Sequence, residues 1–176
     1  MPRVIQILPN DVHNGKGVRV SLWISGCTCA CKGCYSKDTW DFNRGFEYTQ
    51  DTEDEIIELL KRPWIAGISI SGGNPTEPRN LSDGWLIKLV KRIKKEMPNK
   101  TIYVWSGRYY EDSMYDPNFR EFIQYVDMLR DGPFDEKQKD LTQHLQGSRN
   151  QRYMDCKKSL EMGKYVEYDF NMESDE

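Results

Sequence analysis

Cys27, Cys31 and Cys34 fall at the spacing Cys-x3-Cys-x2-Cys within the short stretch Ser25–Tyr35. Three thiolates this close hold one metal group between them, so the chain around them must fold as a single tight loop. A [4Fe–4S] cluster has four irons, and each takes a ligand beyond its sulfides. Three cysteines therefore leave one iron open to a reacting molecule. Two other uses of the thiols stay open. Structural zinc takes four ligands, commonly two Cys-x2-Cys pairs or a cysteine pair with a histidine pair. This chain has one such pair, Cys31 and Cys34, and Cys29 stands between them and Cys27 as a local fourth thiol. A disulfide framework is the third use, but five cysteines is an odd count. Cys29 is read as a bystander of the loop and Cys156 as a lone thiol.

A chain of 176 residues is one domain, or one domain with a tail. At that length it buries roughly 70% of its extended surface, enough for a true core. With 38% hydrophobic and 30% charged residues it reads as soluble and globular. A net charge of −3 argues against a broad basic surface for nucleic acid. No apolar run approaches the roughly 18 residues of a membrane span, and the start lacks a signal-peptide core. Clustered thiols without a leader fit a reducing, cytoplasmic setting.

The pattern along the chain alternates strands with helices. Val4–Leu8 reads as an edge strand, Asp11–Gly17 as a turn and Val18–Ser25 as a strand that runs into the cysteine loop. Thr52 with Glu55 reads as a capping box opening a helix that Pro63 stops, with Ile56, Ile57, Leu59 and Leu60 on its buried face. Ile65–Ser71 is a strand ending at Gly72-Gly73-Asn74-Pro75. A helix capped by Ser82 or Asp83 carries Leu86, Leu89, Val90 and Ile93 at helical spacing. Thr101–Trp105 and Val126–Arg130 are further strands, with a short helix over Phe119–Tyr125 between them. The Lys88–Lys95 run reads as a solvated helix face, His13 and His144 as surface residues, and Glu173–Glu176 as a frayed acidic tail. Strand–helix repeats of this kind build an α/β fold with a mostly parallel sheet. Four or five units are too few to close an eight-fold barrel, so a short open partial (βα) barrel is expected. Its chemistry should gather at the carboxyl ends of the strands.

The cysteine motif followed by Gly72-Gly73-Asn74-Pro75 at the end of the next strand resembles the radical S-adenosylmethionine (SAM) enzymes. Further stretches extend the match: Asn14–Gly17, Val104–Gly107, Asp131–Phe134 and Gly147–Gln151. Together they are similar to the small activating proteins of anaerobic ribonucleotide reductases, over about residues 5–152. The resemblance implies a radical SAM domain over 1–153 and a C-terminal extension over 154–176. It implies Cys27, Cys31 and Cys34 as ligands of one [4Fe–4S] cluster per chain. It implies Gly33, Cys34, Tyr35, Gly72, Gly73, Asn74, Pro75 and Ser106 at the SAM site, with Tyr35 beside the adenine and the Gly72–Pro75 carbonyls receiving the SAM ammonium. The implied activity is reductive cleavage of SAM to methionine and a 5′-deoxyadenosyl radical. That radical places a glycyl radical in the C-terminal region of the reductase large subunit, with an electron from a carrier such as flavodoxin. No catalytic acid or base is implied. An activator of another glycyl-radical enzyme and a zinc-binding interaction module are the other readings. The module would use Cys29 and leaves Gly72–Pro75 unexplained.

Overall fold

The computed structural model describes residues 1–172, so the expected acidic tail lies outside the described residues. Seven strands form one open sheet in the order β3-β1-β2-β4-β5-β6-β7. They are β1 (Arg3–Asp11), β2 (Val18–Ile24), β3 (Phe46–Glu47), β4 (Ile65–Gly72), β5 (Thr101–Trp105), β6 (Met128–Asp131) and β7 (Arg152–Asp155). The centre, β2-β4-β5-β6, is parallel, and both flanks are antiparallel. The sheet is thus mixed, with the expected parallel units at its middle. β3 pairs with the far side of β1 only at Arg3 and Val4, so the remainder of β1 forms the sheet edge as expected. Among the described residues no helix is long and apolar enough to cross a membrane.

Alternation along the central strands separates two faces. Val20, Leu22, Ile24, Ile68, Ile70, Ile102, Val104 and Leu129 join one buried apolar cluster. Helices α1 (Gln50–Leu60), α2 (Pro78–Ser82), α3 (Trp85–Glu96), α4 (Tyr110–Ser113) and α5 (Pro117–Ile123) all contribute to that cluster, through Ile56, Leu81, Leu89, Tyr110 and Phe122 among others. Each such side chain contributes about 1.5–3 kcal/mol on leaving water. The opposite face is polar. Buried Arg19 donates to Ser69 Oγ (2.8 Å), Ile68 O (2.9 Å), Thr101 Oγ1 (2.9 Å), Thr101 O (3.0 Å) and Lys16 O (3.2 Å), and lies over the Tyr103 ring. One guanidinium thereby ties the starts of β2 and β5 to the middle of β4.

Several element boundaries differ from expectation. The α1 cap is Thr49, not Thr52: Thr49 Oγ1 accepts from Thr52 N, and Thr52 Oγ1 accepts from Thr49 N. A threonine at the third helical position closes the box that Glu55 was expected to close. Ser82 and Asp83 end α2 instead of starting α3, which Gly84 caps in the left-handed region at φ 71°. The basic run on α3 is ion-paired rather than merely solvated, with Lys88 and Arg92 on Glu53, Lys91 on Glu121 and Lys94 on Asp127. Beyond β7, α6 (Cys156–Met162) places Cys156 fully inside the core, where burial pushes its thiol up. The chain then returns along the outer side of β7, with Asp155 N on Val166 O (2.8 Å) and Tyr168 N on Tyr153 O (2.9 Å). Phe170 packs edge-on against Tyr103, Tyr153 and Tyr168.

Replacing Arg19 with Ala leaves buried acceptors unpaired, so about 3 kcal/mol or more of stability should be lost. Urea unfolding followed by circular dichroism measures this. Glu53 gives a pH-dependent part of stability. Burial pushes its carboxyl up, but Arg92, Tyr48 and Lys88 outweigh that and hold it below its ordinary value. A lowered folded-state value means stability fully present above about pH 4.3 and lost as pH falls through the lowered value. Glu53→Gln should flatten that acid limb in urea midpoints measured across the range.

Candidate metal centre

β2 ends at Ile24, and the cysteine loop begins three residues later at the carboxyl edge of the sheet. Gly26 N donates to Thr39 O (2.7 Å) and Cys27 N to Trp40 O (3.1 Å), which closes the loop on the following turn. Gly26 itself has φ 99°, and its missing side chain leaves room for the Phe42 ring. Cys34 N donates to Cys31 O (3.1 Å), a turn that brings the last two cysteines together.

The loop after β4 docks against this one backbone to backbone. Gly73 N donates to Ile24 O (2.8 Å), Asn74 N to Gly26 O (2.9 Å), and Asn80 Nδ2 to both Gly26 O (3.0 Å) and Asn74 O (2.9 Å). A Cβ on Gly73 would stand 2.5 Å from Gly26 O, so only glycine permits the contact. Asn74 is fully buried. Its Oδ1 accepts from Thr76 N, Thr76 Oγ1 and Gly107 N, and its Nδ2 lies 3.7 Å from Cys29 Sγ. Glu77, also buried, accepts from Thr28 N and Thr28 Oγ1 and pairs with Arg108 at 3.1 Å.

These loops enclose a cavity of about 440 Å³. That is the size of a cofactor pocket. Cys27, Cys29, Cys31, Cys34, Gly33, Gly72, Gly73, Asn74 and Ser106 line it, together with Trp23, Trp105, Gly107 and Arg130. Tyr35 lies at the rim, 96% exposed, and Pro75 is buried behind the wall. The Ser106 hydroxyl is engaged by Thr76 and Arg108. Leu141, Leu145, Gly147 and Gln151 roof the far side, from a stretch that reads only as polar in sequence. Asn150 donates to Pro133 O (2.8 Å) and Tyr109 Oη (3.1 Å) and so holds that stretch in place; Arg149 N donates to Gln138 O. His13 and His144 are exposed.

Among the thiols, a hydrogen bond shared by Cys27 and Cys29 pushes Cys27 up and pulls Cys29 down to about 7. Burial pushes Cys31 up. Among the described residues, no three cysteine, histidine or acidic side chains are already gathered as an ion site. The donor set nevertheless suits an iron–sulfur cluster: soft thiols on one wall of a dry-sided cavity, with backbone amides of the loop around them. Sequence reasoning missed Trp23, Arg130 and the Glu77–Arg108 pair; only the places of Trp23 and Arg130 near the ends of β2 and β6 hinted at them.

The family model described as "4Fe-4S single cluster domain" matches residues 13–154. An anaerobic ribonucleoside-triphosphate reductase-activating protein of Vibrio cholerae is 43% identical over 148 residues, covering 83% of this chain and 93% of that protein. Its namesake in Escherichia coli K12 is 40% identical over 83% of this chain and 94% of its own. One from enterobacteria phage T4 is 35% identical over 84% and 90%.

Gly73→Ala forces the two loops apart, so iron retained per chain after anaerobic loading should fall at least severalfold, with a stability loss of about 1–3 kcal/mol. Iron analysis and thermal unfolding of the same samples measure both.

Proposed function

Because the chain belongs to the anaerobic ribonucleoside-triphosphate reductase-activating proteins, we propose that it activates such a reductase by radical SAM chemistry. The observation that carries this reading is the docking of the cysteine loop on Gly72–Asn74 around one shared cavity. In this reading Cys27, Cys31 and Cys34 hold one [4Fe–4S] cluster, and the open sheet is a short partial barrel of the radical SAM type. Residues 1–153 form the working domain and 154–176 an extension, whose first residues complete β7 and place Met154 and Cys156 in the core.

The cluster, when bound, supplies one electron to SAM, whose S–C5′ bond breaks to give methionine and a 5′-deoxyadenosyl radical that takes a hydrogen atom from a glycine Cα of the reductase. The chain's own residues bind, orient and shield. The Gly72 and Gly73 carbonyls accept from the SAM ammonium, since no side chain stands in front of them. Asn74 fixes that loop through Thr76 and Gly107. Gly33 permits the Cys31–Cys34 turn, and Tyr35 and Leu141 stand exposed at the mouth, where a polypeptide segment would enter. Ser106 lines the site, its hydroxyl held by Thr76 and Arg108, and Pro75 packs behind the wall. The partners are the C-terminal glycine region of the reductase large subunit and a flavodoxin-like electron carrier, in the cytoplasm. The reaction needs no general acid or base from the chain.

Anaerobic loading with iron and sulfide should give about four irons per chain. Reduction with dithionite in the presence of SAM should then release 5′-deoxyadenosine. Cys27→Ala, Cys31→Ala and Cys34→Ala should each abolish both, while Cys29→Ala keeps them. A colourless protein that takes up one zinc, loses it in Cys29→Ala and leaves SAM intact would make the chain a zinc-binding module instead. SAM cleavage without a glycyl radical in the matching reductase would point to another glycyl-radical partner.

A further inference from the structure

Glu77 is a buried carboxylate that the reaction does not use. It caps the start of α2, where its carbonyl accepts from Asn80 N (2.8 Å) and Leu81 N (3.1 Å). Its side chain, 6% exposed, reaches back to the cysteine loop and accepts from Thr28 Oγ1 (2.9 Å) and Thr28 N (3.3 Å). Arg108, on the loop after β5, pairs with it at 3.1 Å. Arg108 is itself fixed, because Ser106 Oγ accepts from its N (3.0 Å) and Gly132 N donates to its O (3.2 Å). One carboxylate therefore joins the loops after β2, β4 and β5 at the carboxyl edge of the sheet.

Thr28 lies between Cys27 and Cys29, in the half of the loop that precedes the Cys31–Cys34 turn. That half ends at Ala30, whose φ of 48° is left-handed for a residue with a side chain. Such a backbone persists only where contacts on both sides hold it. Thr28 supplies the contact on one side, and Cys34 N on Cys31 O supplies the other. The charges of the pair also reach the thiols: Glu77 acts on Cys27 and Cys29, and Arg108 on Cys29.

We propose that Glu77 is a positioning residue of the cluster site: paired with Arg108, it holds the Cys27 arm of the loop against the cavity, and its charge sets the reduction potential of a cluster bound there. This rests on the iron–sulfur reading of the cavity. An anion beside the thiolates opposes an added electron and lowers the potential, whereas a cation raises it. The pair keeps the two in balance. Removing the anion alone upsets that balance, and removing both charges restores it.

The test uses anaerobically iron-loaded protein without SAM, in wild type, Glu77→Gln, Glu77→Gln combined with Arg108→Gln, and Thr28→Val. Potentials come from a redox titration read by electron paramagnetic resonance, and cluster retention from the rate of iron loss to a chelator. Glu77→Gln keeps an acceptor for Thr28 but removes the charge, so its potential should rise while retention stays near wild type. Adding Arg108→Gln should bring the potential back towards wild type. Thr28→Val removes one bond to the carboxylate and leaves both charges. Its iron loss should speed up about tenfold, the worth of one hydrogen bond to a charged group, at an unchanged potential. An unchanged potential in Glu77→Gln, an equal rise in the double variant, or a Thr28→Val protein that keeps its iron like wild type would overturn the assignment. So would glutamine variants that lose iron and unfold together, which marks a merely structural pair. Failure of the wild type to take up about four irons would instead overturn the reading on which the proposal stands.

Discussion

Two loops from neighbouring parallel strands meet through their backbones, and the cavity exists because they do. The loop after β4 gives its Gly73 and Asn74 amides to the carbonyls of Ile24 and Gly26. Parallel pairing of β2 with β4 sets the two loops side by side at the same edge. The absent side chain of Gly73 then allows contact at bond distance. Asn80 reinforces the seam from α2 by donating to both loops. Every thiol that faces the cavity is positioned relative to Gly72–Asn74 through this seam.

The electrostatics around the seam are graded. Behind it, Glu77 is buried but neutralised by Arg108 and by the Thr28 amide and hydroxyl. In front of it, the cavity is lined by the four loop thiols and by Arg130, whose Nε has no hydrogen-bond partner among the described residues.

The cysteine loop, the Gly72–Pro75 turn and the central strands were legible because each is written locally. Spacing, Gly-Pro punctuation and β-branched runs need no partner to be read. Element starts were less legible. Thr49 and Thr52 look alike as caps, and only the fold decides that Thr52 serves as the third position of the box. Arg19 and Arg130 sit within strands as isolated charges, and nothing local says that one is fully bonded while the other faces a cavity. The roof over Leu141–Gln151 lacks periodicity, and β7 and α6 are too short to stand out. Their places depend on contacts with residues far off in sequence, such as Met128 with Asp155 and Asn150 with Pro133.

The segment that returns along the outer side of β7 also bears on how this molecule behaves in a crowded solution. An open sheet ordinarily exposes two rows of unpaired amides and carbonyls, each a template for another chain. Here Val166 and Tyr168 occupy groups on one rim, while on the other the two-residue β3 covers only Arg3 and Val4 of β1. The β7 rim is thereby blunted, which guards it against strand addition by another copy.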